Sequence, residues 1–197
     1  VRVVQHVKGK RRIHEQADRA AEPRVPFPLV AIAASLGGPK ALSSILRMLP
    51  KAFPAPILIC QHISVGFTGG LSQWLGAETE LKVVEAAEGN LLNPGIVYLA
   101  PSGAHLLVAP DSTVRLDDGP AILGFKPSCD ALLHSVAQTF RKRAVGVVLT
   151  GMGRDGARGL KEIRSRGGRT IAQDEATCVV FGMPREAIAL GAAEEVL

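Results

Sequence analysis

The sequence predicts an α/β domain, doubly wound around a mostly parallel sheet, with helices on both faces and an antiparallel hairpin inserted. Three observations carry that expectation. From Leu29 onward, short apolar runs alternate with amphipathic stretches, the rhythm of strands joined by crossover helices. Turn-forming glycine and proline punctuate the passage from one run to the next. Residues 90–119 break the rhythm with turn residues every few positions and short β-type runs between them.

Taken in order, LVAIAAS (Leu29 to Ser35) reads as a buried strand, closed by Gly37, Gly38 and Pro39. PKALSSILRML then sets Leu42, Ile45, Leu46 and Leu49 at helical spacing, with Pro39 suited to the first turn. A second strand, PILICQH, ends at His62, and FTGGLSQWLGA is helical. LKVVEA makes a third short strand, completing a βαβαβ pattern. The segment NPGIVYLAPSGAHLLVAPDSTVRLDDG is expected to be an antiparallel hairpin or meander. A helix from about Ser128 to Arg143 follows, then the strand AVGVVLTG, a helix from about Gly156 to Arg166, the strand RTIAQDE and a last helix opened by Pro184.

The 197 residues suit one domain with a sizeable core. No stretch approaches the roughly 18 uninterrupted apolar residues that would span a bilayer, and the first residues are polar and basic. Cys60, Cys129 and Cys178 are too few and too scattered for a disulfide framework or a four-ligand zinc site. A cytoplasmic protein with reduced thiols and no membrane insertion is therefore expected. The net charge of +5 invites a nucleic-acid reading, but its distribution argues otherwise. Residues 1–25 hold seven basic side chains against three acidic ones, while the rest is nearly balanced, 16 against 15. Residues 1–28, ending in Pro23, Pro26 and Pro28, read as a linker or tail, and residues 29–197 as the domain. Aromatic residues make up only 4% of the chain and do not interleave with basic ones, so no nucleic-acid partner is expected.

Ser35, His62 and Asp155 each fall where a predicted parallel strand gives way to its loop. Open α/β sheets gather ligands and catalytic groups at such carboxyl ends. A serine hydroxyl becomes a nucleophile when an imidazole takes its proton, and a carboxylate orients that imidazole. Each residue also has an alternative reading. Ser35, in AASLGGPK, suits an N-cap or a phosphate-binding turn, although neither G-x-G-x-x-G nor G-x-S-x-G is present. His62 suits a hydrogen-bonded structural residue, or half of a Cys-His pair or metal site with Cys60, two positions earlier on the same strand face. No second Cys-His cluster completes a ligand set in sequence, and Cys60 is expected to be buried. Asp155, in LTGMGRDGARGL, suits the cap of its own helix. His105 and His134 fit a hairpin position and a helix position. The basic run Arg154, Arg158, Lys161, Arg164, Arg166 and Arg169 is a solvated helix face or a surface that meets an acidic substrate.

Six blocks in order, AIAASLGGPKAL, CQHISVGFT, GIVYLAPSGAHLLV, KPSCDALLHSVA, VGVVLTGMGRDGARGL and TIAQDEATCVVFGMPREAIALGAA, resemble the catalytic domain of the chemotaxis-receptor protein-glutamate methylesterases, the CheB family. The resemblance runs from about Leu29 to Leu197. It implies a serine hydrolase that removes methyl esters from receptor glutamates and can deamidate receptor glutamines. The catalytic residues it implies are Ser35, His62 and Asp155, with backbone N–H groups of Leu36 and Met152 as oxyanion donors and with neither metal nor cofactor. The implied partners are receptor cytoplasmic helices and, in the longer protein, an upstream receiver domain that this chain lacks. Two departures from the family pattern stand out: Leu36 replaces the usual threonine, so any contribution of that hydroxyl is lost, and Ile63-Ser64 replaces Met-Pro. The alternatives are a non-catalytic receptor-binding module of the same fold and a nucleotide-binding domain using the Gly37-Gly38 turn.

Overall fold

A computed structural model describes residues 27–197. The linker expected over residues 1–28 falls almost wholly outside the described residues. A seven-stranded sheet runs through the domain in the order β3-β4-β2-β1-β7-β8-β9, and every pairing in it is parallel. Its strands are β1 (Leu29–Ala34), β2 (Ile57–Gln61), β3 (Lys82–Glu85), β4 (Ile96–Leu99), β7 (Ala144–Val148), β8 (Arg169–Ala172) and β9 (Glu195–Val196). The helices are α1 (Gly38–Leu46), α2 (Thr68–Glu78), α3 (Cys129–Phe140), α4 (Ala157–Ser165) and α5 (Met183–Ala189).

Side chains on a strand alternate between faces, so each central strand feeds two cores. Leu29, Ala31 and Ala33 of β1 join Leu58 and Cys60 of β2 beneath α3, α4 and α5. Ile32 and Ala34 join Ile57 and Ile59 beneath α1 and α2 on the other face. Small residues let the helices approach closely. A Cβ added at Gly159 of α4 would stand 2.6 Å from Leu133 Cβ of α3, so the two helices cross nearly backbone to backbone.

The hairpin is real but smaller than expected. β5 (His105–Val108) and β6 (Val114–Asp117) pair antiparallel as a separate sheet. The first run of that segment, β4, instead lies parallel between β2 and β3. Its IVYL sequence is buried at three of four positions, as suits an interior parallel strand rather than a solvent-facing meander. Two other departures are short. α1 stops at Leu46 rather than Leu49, and β9, only two residues long, gave no sequence signal. No described helix is long and apolar enough to cross a membrane.

β1 is the switch point of the sheet. The chain leaves it through α1 toward β2 on one side, while β7 pairs on the other. α1 and α4, which follow β1 and β7, lie on opposite faces. The loops after β1 and β7 therefore part, and a crevice opens at their carboxyl ends.

Candidate active site

Strand register brings the first two candidates together. Ala33 pairs with Cys60 and Ala34 with Gln61, so the next residues, Ser35 and His62, leave adjacent strands at the same level. The ladder continues into the loops, with His62 N–H donating to Ala34 O (2.9 Å) and Ser35 N–H to Thr150 O (3.0 Å). Ser35 is packed against the turn after β7. A Cβ at Gly151 would stand 2.6 Å from Ser35 Cβ and would collide with Met183 Sδ, so only glycine fits. Ser35 does not cap α1, whose N-cap is Gly37 with no side-chain bond.

Asp155 is fully buried, and its carboxylate is saturated with donors. His62 Nε2 donates to Oδ2 at 2.9 Å. The Cys129 N–H donates to Oδ2 (2.7 Å), and the Asp130 N–H and Ser128 Oγ to Oδ1 (both 2.9 Å). Asp155 thus sits on the N-terminus of α3, where free N–H groups and the helix dipole favour an anion. Its own helix α4 has Gly156 as its N-cap, with no side-chain bond. Asp130 supplies what is missing there, accepting from Gly156 N–H (2.9 Å) and Gly159 N–H (2.8 Å). The two helices exchange carboxylates, so the local-cap reading of Asp155 gives way to a cap across the α3–α4 contact.

Burial alone would raise the pKa of Asp155. The His62 hydrogen bond, then those of the Asp130 and Cys129 N–H groups and the Ser128 hydroxyl, outweigh it and hold the group below the usual range. For His62, burial pulls the imidazole pKa down. The bond to Asp155 and the contact with Cys129 more than reverse that, lifting it to about 10. Burial pushes the Cys129 thiol well up, so Asp155 is the anion that holds the imidazole's proton. With Nε2–H committed to Asp155, Nδ1 is the ring nitrogen left without a partner, and it is buried. In the neutral ring Nδ1 therefore carries the lone pair available to a hydroxyl. Among the described residues, no hydrogen bond joins Ser35 Oγ to it.

Four side chains that sequence reasoning passed over complete the frame. Gln61 Nε2 donates to Ser35 O and to His62 O, each at 2.8 Å, tying the two candidates through one buried amide. The Phe125 ring stacks on the His62 ring, with centroids 3.9 Å apart and planes within 3°. Ser128 holds Asp155 through its hydroxyl while its N–H donates to His105 Nδ1 (3.0 Å). His105 in turn donates from Nε2 to Pro120 O (3.1 Å), so the expected hairpin histidine also braces the start of α3. Thr150 Oγ1 donates to Leu36 O and accepts from Val180 N–H, both at 2.9 Å, binding three loops. Ser128 alone carried a sequence signal, a serine directly before a helix. His134, by contrast, is exposed and meets only Gln138 within its helix.

A crevice of about 700 Å³ opens beside the pair, lined among others by Leu123, Phe125, Met152, Arg154, Arg185 and Glu186. Leu36 and Met152 are largely exposed, one on the loop after β1 and the other on the loop after β7. The basic run divides by function in the fold. Arg166 pairs with Glu162 (2.7 Å), Arg169 with Glu195, and Arg164 donates to Gly191 O and Ala193 O (2.7 and 2.9 Å). Arg154 instead reaches the crevice.

Comparison with known proteins agrees with this architecture. The family model described as CheB methylesterase matches residues 30–197. Protein-glutamate methylesterase FrzG of Myxococcus xanthus is 66% identical over 182 residues, covering 92% of this chain and 54% of that protein. A protein-glutamate methylesterase/protein-glutamine glutaminase of Anaeromyxobacter dehalogenans is 49% identical over 197 residues, covering 100% of this chain and 57% of that protein. The chain thus spans little more than half the length of these relatives. The crystal structure of the Thermotoga maritima CheB methylesterase catalytic domain superposes with a TM-score of 0.85 at 41% identity, covering 88% of this chain and 93% of that one.

Proposed function

The chain belongs to the CheB methylesterase family, and from that membership we propose that it is a serine hydrolase that demethylates glutamates of chemotaxis receptors and releases methanol. Ser35 Oγ attacks the γ-carbonyl of a glutamyl methyl ester while His62 Nδ1 takes its proton. Backbone N–H groups of Leu36 and Met152 hold the oxyanion, one from each of the loops that part at the switch point. His62 returns the proton to the leaving methoxide. Water, deprotonated by the same imidazole, then frees the glutamate carboxylate. Asp155 stays ionised throughout and keeps Nε2–H turned toward itself, leaving Nδ1 for the serine. With ammonia as the leaving group, the same steps deamidate a glutamine. No step calls on a metal or an organic cofactor.

The observation that carries the reading is the 2.9 Å bond from His62 Nε2 to a fully buried, fully hydrogen-bonded Asp155. A carboxylate held this way stabilises an imidazolium that forms during acyl transfer. The test is methanol release from methylated receptor membranes. Ser35→Ala is expected to lower turnover by about 10³-fold or more, and near-normal turnover would overturn the assignment. The partners proposed are the cytoplasmic helices of the receptors and, in the longer protein, a receiver domain that covers the crevice until it is phosphorylated. On that arrangement the isolated chain turns over faster than an unphosphorylated longer protein, and equal rates would contradict it.

A further inference from the structure

We propose that Cys60, His62 and Cys129 form an inhibitory binding site for a thiophilic d10 cation, the class of Zn²⁺, Cd²⁺ and Cu⁺. Cys60 and His62 stand two residues apart at the end of β2, so their side chains leave the same face of the strand. Cys129 arrives from the other direction as the first residue of α3, 69 residues further along the chain from Cys60. The two Sγ atoms and a ring nitrogen of His62 all lie within 4.8 Å of one another. Cys129 Sγ is 3.5 Å from His62 Nε2. A tetrahedral ion with bonds of about 2.3 Å to sulfur and about 2.0 Å to nitrogen separates those two atoms by about 3.5 Å. One edge of the coordination polyhedron therefore already has its length. Two sulfurs and one imidazole are the donors that zinc-like ions select over oxygen.

The proton and charge balance closes without any oxidant. Each thiol releases its proton to solvent as its metal–sulfur bond forms, a doubly protonated His62 ring likewise releases one of its two protons, and two thiolates neutralise a divalent ion. Asp155, against the same Nε2, adds a negative charge beside the site. An ion on Nε2 takes the place of the hydrogen bond to Asp155. The neutral ring then carries its proton on Nδ1 and has no lone pair for Ser35. That inhibitory half rests on the reading of His62 as the base, whereas the binding half rests on the three ligands alone.

The experiment uses the reduced full chain carrying Cys178→Ser, so that the half-exposed third thiol contributes nothing. Cadmium is the probe. One equivalent is expected to bind, to give a near-ultraviolet thiolate-to-cadmium charge-transfer band, and to lower methanol release by at least about tenfold, with recovery on adding EDTA. Cys60→Ala and Cys129→Ala each remove a ligand. Each is expected to weaken the band and to raise the cadmium concentration for half-inhibition by at least about tenfold. Cys→Ser at the same positions keeps the volume and supplies the measurement where an alanine variant does not fold. Absence of the band in the parent protein would overturn the proposal, as would equal inhibition of parent and cysteine variants, which would mean the ion acts through histidine alone. If the methylesterase reading fails, the metal-free protein releases no methanol while the band remains.

Discussion

His62 sets the pH window of the site. On the proposed mechanism Ser35 requires the neutral imidazole, and with the pKa raised to about 10 that form gains population as pH rises. The ascending limb of kcat/KM on a methyl ester is therefore expected well above the free-imidazole value of about 6.5. Asp155→Asn removes the anion that holds the proton. It should move that limb downward and cost about 10³- to 10⁴-fold in kcat. A pH–rate profile of both proteins checks this, and an unmoved limb would contradict it. The same shift has a sign for stability. A group whose pKa is higher folded than unfolded stabilises the fold below its unfolded value of about 6.5, and that contribution is lost as pH rises through about 10. Asp155, shifted downward, stabilises above the ordinary carboxylate range, and its contribution is lost as pH falls through its lowered value. Gln61 acts on geometry rather than on charge. Gln61→Met keeps the shape of the side chain but releases Ser35 O and His62 O. A fall of about 10- to 100-fold in kcat with little change in KM is expected, because misplacing the pair slows the chemistry and leaves substrate binding alone.

At the scale of elements, the α3–α4 pair decides where the acid of the site stands. α3 adds Asp155 to its own Ser128 N-cap, and α4, which has no side-chain cap of its own, takes Asp130 from the start of α3. Asp130→Ala strips the first turn of α4 of two acceptor bonds. It should lower stability by about 1–2 kcal/mol, read as a shift of the urea midpoint, and an unchanged midpoint would contradict it. Sequence periodicity placed most elements within a few residues, because apolar spacing and the Gly and Pro breakers are local properties. It was silent on this exchange, since a cap satisfied by a residue 25 or more positions away leaves no local pattern. It also misjudged β4. A short apolar run between turns looks the same in a meander and in an interior parallel strand, and only the pairing with β2 and β3 separates them.

Over the whole molecule, charge is spent unevenly. Three of the arginines after Asp155 hold the fold together, whereas Arg154 and Arg185 line the crevice. If an acidic receptor segment enters there, the double variant R154E/R185E lowers kcat/KM on receptor by about tenfold while a small neutral ester is hydrolysed as before, and added salt weakens the parent's preference in the same direction. Equal losses on both substrates would contradict it. The sequence by itself determined the α/β class, the alternation of most strands and helices, and the three residue types at three strand ends, because strand ends and turns are written in local composition. Tertiary structure alone decided that β1 is the switch point, that Nε2 rather than Nδ1 faces the carboxylate, and that Gln61, Phe125 and Ser128 frame the pair. It also brought Cys129 beside Cys60 and His62. Those facts depend on strand order and on helix crossing, which join residues far apart in the chain, and no local pattern records such a meeting.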